Sequence, residues 1–142
     1  MRRRRLAGVL VIACAACSGD QPLSPESLPG EYALGAVGAS AVPVTVYDPG
    51  GPRTYLGGTL TLSADQDYVL TKEVRRCTTA CTEGTVVEHG IWSVLADGSL
   101  TFRGDNGVSD PPPLVLAKGR EIVFCVGAAG EPCQPAWVFQ RQ

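Results

Sequence analysis

Through Thr59-Leu60-Thr61-Leu62-Ser63 polar and apolar residues alternate with a period of two. That puts Leu60 and Leu62 on one face of an extended segment and the hydroxyl side chains on the other. Short apolar segments of this kind recur to the end of the chain, and from Gly30 onward Gly and Pro punctuate them about every eight to twelve residues. No window sustains a 3.6-residue period, so the pattern predicts strands and no amphipathic helix. The predicted strands are Glu31–Val37, Val44–Tyr47, Gly58–Ser63, Tyr68–Arg76, Thr85–Leu95, Ser99–Arg103, Leu114–Ala117, Glu121–Val126 and Ala136–Gln140. Roughly 110 residues of this character suffice for one core and do not call for two domains.

Turn chemistry gives candidate registers. Ala64-Asp65-Gln66-Asp67 turns the chain into Tyr68, and Lys118-Gly119-Arg120 makes a tight turn. A three-residue Ala96-Asp97-Gly98 loop, with Gly98 left-handed, sets Trp92 and Val94 on the same side as Phe102 and Leu100. A two-residue Asp97-Gly98 loop sets them on opposite faces, so parity of burial favours the longer loop. In the preceding hairpin, pairing Arg76 with Gly84 places Tyr68 opposite Trp92, Leu70 opposite Gly90 and Lys72 opposite Glu88. Tyr68 and Trp92 pointing inward then carry Lys72 and Glu88 inward too, towards a cavity or its mouth; the alternative is an ordinary ion pair on an exposed face. Gly50-Gly51 and Gly57-Gly58, on either side of Tyr55, read as loop glycines. Asp110-Pro111-Pro112-Pro113 reads as a stiff loop, because proline has no N–H to give a ladder. The last strand is placed to pair with the first and close a barrel.

The start of the chain changes the charge picture. Arg2 to Arg5 precede an apolar run from Leu6 to Ala16, then Cys17-Ser18-Gly19-Asp20. The run is shorter than the 20 or so residues a spanning helix needs, so a cleaved signal is the better reading. Ala15-Ala16-Cys17 resembles the bacterial lipoprotein signal, in which a small residue precedes the lipid-bearing cysteine; Val11-Ile12-Ala13-Cys14 offers a second acceptor. Lipid on Cys17 leaves Cys77, Cys81, Cys125 and Cys133, an even set, whereas Cys14 leaves an odd thiol. Residues 1–16 are thus expected to be a signal peptide and 17–29, with prolines at 22, 25 and 29, a lipidated flexible tether. Loss of residues 1–16 removes four of the twelve basic residues and leaves eight against fourteen acidic, a net charge of −6. Such a balance argues against nucleic acid as a partner. By resemblance to lipoprotein sorting, serine after Cys17 implies the outer membrane or periplasmic face of the cell envelope and not retention at the inner membrane.

Gly30-Glu31-Tyr32, Gly58-Thr59-Leu60-Thr61-Leu62-Ser63-Ala64-Asp65 and Gly90-Ile91-Trp92-Ser93-Val94 together resemble small bacterial lipoproteins with a lipocalin-like β-barrel. The resemblance covers roughly residues 30–140, and Tyr32 stands where lipocalins usually carry Trp. It implies an all-β domain over 30–142, a single antiparallel up-and-down barrel of about eight strands, with an interior that is packed solid or holds one small ligand.

Chemistry is sparse. Outside the cytoplasm four cysteines default to disulfides; they permit three connectivities, and the local pairs Cys77 with Cys81 and Cys125 with Cys133 each span a single turn. A four-thiolate metal site is the alternative, unsupported by C-x-x-C spacing or nearby histidine. His89, the one histidine, neighbours Glu88, but adjacent strand residues face opposite sides and cannot act together. Serine nucleophiles lack a placed base. Asp65 and Asp67 are turn residues without the rest of a calcium loop. No enzyme, cofactor or metal is expected. Candidate ligand-facing residues are Tyr68, Lys72, Glu88, Trp92 and Phe102. The expected partners are a membrane, through the N-terminal lipid, and either a small apolar or amphipathic ligand or another envelope protein bound to a filled barrel.

Overall fold

The computed structural model describes residues 25–105, 114–126 and 132–142. The signal segment, both candidate lipid acceptors, the first part of the tether and the triple-proline loop lie outside the described residues. Ten strands follow a short 3₁₀ turn, Pro25–Ser27: β1 Gly30–Val37, β2 Ser40–Ala41, β3 Val44–Asp48, β4 Gly51–Leu62, β5 Asp67–Cys77, β6 Cys81–Val94, β7 Leu100–Gly104, β8 Val115–Lys118, β9 Glu121–Val126 and β10 Gln134–Arg141. Sequential antiparallel pairing runs from β4 to β10, and β1 closes the ring between β10 and β4. The result is a closed eight-stranded antiparallel barrel, the architecture that the resemblance implies.

β4 serves two neighbours. Its lower half, Thr59–Leu62, pairs with β1, and its upper half, Gly51–Tyr55, pairs with β3. Above Tyr32 and Ala33 the two strands part, and β1 is met instead by the two-residue β2 after a turn at Gly38. The upper halves of β4, β5 and β6 together with β3 therefore rise past the barrel rim as a single-layer wing. Val86 and Val87 lie on its opposite faces and are 49% and 50% exposed. Gly51, Gly57 and Gly58 are strand residues within this ladder and not the loop glycines expected. Gly58 permits close approach of β5, for a Cβ there would lie 2.4 Å from the Thr71 carbonyl oxygen.

The β6–β7 hairpin has the predicted face: Trp92 pairs with Phe102 and Val94 with Leu100, around a loop with Gly98 at φ 83°. The β5–β6 hairpin does not have the predicted register. Lys72 lies opposite Val86, Leu70 opposite Glu88 and Tyr68 opposite Gly90. The correction has a local cause: Cys77 and Cys81 face each other across Thr78-Thr79-Ala80 and are disulfide-bonded, which closes the tip tighter than an Arg76–Gly84 pairing would. Gly90 is fixed by the same geometry, since a Cβ there would lie 2.1 Å from the Arg103 carbonyl oxygen and 2.7 Å from the Tyr68 ring.

Inward residues alternate along every barrel strand and fill the interior. Tyr32, Leu60, Leu62, Tyr68, Leu100, Val115, Ile122 and Phe139 are almost wholly removed from solvent, each large apolar side chain contributing about 1.5–3 kcal/mol by burial. A ring chain crosses the lumen: Tyr68 to Phe102 at 5.0 Å, Phe102 to Phe124 at 5.1 Å and Phe124 to Phe139 at 5.7 Å between centroids. The lower end is plugged by Leu28, which accepts a 2.7 Å hydrogen bond from the Tyr32 hydroxyl at its carbonyl. Arg141, at the end of β10, donates to the carbonyls of Ser27 at 2.6 Å and Pro29 at 3.0 Å. The packed body thus begins before Gly30, inside the segment that sequence composition assigns to the tether.

Candidate functional site at the barrel mouth

The ends of the barrel differ in chemistry. At the lower end, where the chain enters, an open groove of about 560 Å³ lies between Glu26 and Pro29 on one side and Gln66, Trp92 and Val94 on the other. Its Trp92 is committed to structure: the indole N–H donates to the Ser63 carbonyl at 3.2 Å and the backbone N–H to the Gln66 carbonyl at 2.8 Å.

The upper end carries charge on its inner wall. On β5 the buried Leu70 and Val74 bracket Lys72, so the strand period turns Lys72 inward. Its ammonium lies 4.6 Å from the centre of the Trp137 ring on β10, a cation–π distance. Tyr55 of β4 meets the same indole edge-on at 4.6 Å, and Arg53 donates through Nη1 to the Tyr55 hydroxyl at 3.3 Å. Arg76 stands directly opposite Arg53 and so shares its face. Glu88 faces inward one step diagonally from Lys72 and accepts a hydrogen bond from the Tyr68 hydroxyl.

The electrostatics follow from this placement. Burial lowers the pKa of Lys72; Glu88 pulls it back up and Arg53 pushes it further down. Burial raises the pKa of Tyr68 well above the usual phenol value, and the hydrogen bond and charge of Glu88 add to the effect, with Asp105 contributing. Lys72 makes neither a hydrogen bond nor an ion pair with the described residues. The outer face of the same wing behaves ordinarily, with Arg75 donating to Glu83 at 2.8 Å from Nε and the Thr45 and Thr54 hydroxyls 2.8 Å apart.

Of the sequence candidates, Tyr68, Lys72 and Glu88 come together at the mouth. Phe102 packs on Tyr68 in the filled middle, and Trp92 lies at the opposite end. Cys77–Cys81 and Cys125–Cys133 are both disulfides, the two local pairs. Sequence reasoning missed Arg53, Tyr55 and Trp137. The signal for the first two was the alternation Arg53-Thr54-Tyr55, masked by the flanking glycines and by Pro52, which sits opposite Tyr47 near the start of β4. Trp137 packs against the core from above, after a bulge between Pro135 and Trp137 that alternation alone does not reveal.

Compared with known proteins, the chain matches no family model, no curated protein and no solved structure.

Proposed function

We propose that this protein is a lipid-anchored lipoprotein of the cell envelope whose barrel is a solid pedestal and whose mouth binds a small amphipathic molecule. The observation that carries the ligand half is the division of the interior. Stacked rings leave the lower lumen filled, whereas the part-buried Lys72 and Arg53 lie above them beside Trp137 and the buried Tyr55. Ligand sites pair an apolar lining with a few convergent polar groups, and that mixture occurs at the mouth and not beneath it. In this reading the chain has no enzymatic activity, cofactor or metal.

The anchoring half rests on the N-terminal sequence, with Cys17 as acceptor. Two disulfides suit an oxidising compartment, and Leu28 and Arg141 hold the tether's end at the pole opposite the mouth. A lipid on Cys17 therefore leaves the mouth facing away from the membrane. In Gram-negative cells fed labelled palmitate, Cys17→Ser in the full chain is expected to lose both label and membrane sedimentation, while Cys14→Ser keeps both. Label retained in the Cys17 variant overturns that acceptor.

A second reading, a protein-interaction lipoprotein without a ligand, is favoured by Val46, Tyr47, Val86 and Val87 exposed on the wing. The neutral probe N-phenyl-1-naphthylamine separates the two. Saturable fluorescence enhancement that is lost in Trp137→Ala supports a mouth ligand, and no enhancement supports the second reading.

A further inference from the structure

Resting on the small-ligand reading, we infer that the mouth selects amphiphiles with an anionic head, a carboxylate or phosphate held by Lys72, Arg53 and Arg76 while Trp137 and Tyr55 receive the apolar body. Three observations on the inner wall and one point of chemistry converge on this class.

The first is the distribution of charge. Beyond residue 16 the chain is acidic, eight basic residues against fourteen acidic, yet three of those eight basic residues share one wall of the mouth. Arg53 and Arg76 face each other across the β4–β5 ladder. Cross-strand neighbours on one face are close enough for their long side chains to meet the same small anion.

The second is the state of Lys72. A half-buried ammonium carries three donors and ordinarily finds acceptors. This one rests on the Trp137 face with no hydrogen bond to the described residues. Glu88, close enough to influence it, is engaged by the Tyr68 hydroxyl. The donors of Lys72 remain for a ligand.

Third, among the described residues the wall is open beside Val74: Gly84 is the inward residue opposite it, and a Cβ built on Gly84 would meet none of those residues within 4 Å. Fourth, the guanidinium fork suits carboxylate and phosphate oxygens, which a lone ammonium grips without directional preference. Two arginines and a lysine thus fit an oxyanion better than a neutral hydroxyl.

The test is calorimetric titration of the full-length chain carrying Cys17→Ser, so free of attached lipid, with dodecanoate, dodecyl phosphate and dodecanol below their micelle-forming concentrations. Both anions are expected to bind at least about tenfold more tightly than the alcohol, the scale of one charge-assisted hydrogen bond. Lys72→Met and the exposed Arg76→Gln are each expected to cut that preference several-fold and leave dodecanol binding unchanged, with thermal unfolding as the folding control. A clear excess of dodecanoate over dodecyl phosphate, or the reverse, identifies the head group within the class. Equal affinity for dodecanol and the anions overturns anion selection while leaving the small-ligand reading standing. A preference that survives both substitutions overturns the residue assignment. Heat from none of the three overturns the small-ligand reading itself, and this inference with it.

Discussion

Tyr68 joins the two halves of the barrel, its ring against Phe102 in the core and its hydroxyl on Glu88 at the mouth. Because the folded state holds the phenol proton more tightly than the unfolded chain does, the stability tied to Tyr68 is intact below about pH 10 and falls as pH rises further. Lys72 works in the other direction. Its folded pKa is lowered, so its charge costs stability at neutral pH, and the cost is relieved as pH climbs towards the usual lysine value of about 10.5. Urea unfolding between pH 8 and 11 is expected to show a steeper alkaline loss in wild type than in Tyr68→Phe, and a steeper loss again in Lys72→Met. Parallel curves for Tyr68→Phe and wild type would remove Tyr68 as the source. The inward aim of Tyr68, Lys72 and Glu88 was legible in the sequence because a strand has a period of two. Their partners were not, since a two-residue slip keeps every side chain on its face while changing what stands opposite. Cys77 and Cys81 held that information, for a disulfide between them leaves one register for the whole hairpin.

Among the elements, the wing is the part that composition hid. Thr59-Leu60-Thr61-Leu62 announces the lower half of β4 by alternation, but Gly51, Pro52, Gly57 and Gly58 punctuate the upper half as a loop would. Tertiary pairing overrides that local signal, since β3 on one side and β5 on the other complete the ladder. The two disulfides act on different elements. Closing the short loop between Cys77 and Cys81 is worth about 2 kcal/mol by chain entropy, and the longer one between Cys125 and Cys133 about 2.5 kcal/mol. Replacing either pair by alanine is expected to lower urea stability by those amounts. For the tip pair, hydrogen exchange is expected to quicken at Glu83–Val86 and stay slow at Tyr68–Leu70. Fast exchange at both would mean that the tip holds the whole hairpin.

For the molecule as a whole, class and closure were legible: short strands between turns, with the last strand able to reach the first. The filled lumen was not. Phe102, Phe124 and Phe139 belong to β7, β9 and β10, and nothing in their spacing along the chain tells that they meet in the middle of a closed sheet. The lower pole escaped for a related reason, because Leu28 stands in a proline-rich stretch that reads as spacer. Its side chain is 1% exposed, so Leu28→Ala is expected to cost about 3 kcal/mol in urea unfolding; a change under about 0.5 kcal/mol, the range of surface substitutions, would make the plug ornamental. The grip of Arg141 on Ser27 and Pro29 also decides how the protein bears load. With a bound partner holding the wing and an anchor drawing on the N-terminal side, tension enters β1 along its own axis, between β10 and β4. The ladder hydrogen bonds on both flanks are then strained side by side in shear and do not open in turn like a zip, so the barrel resists unravelling under a pull at its N-terminal end.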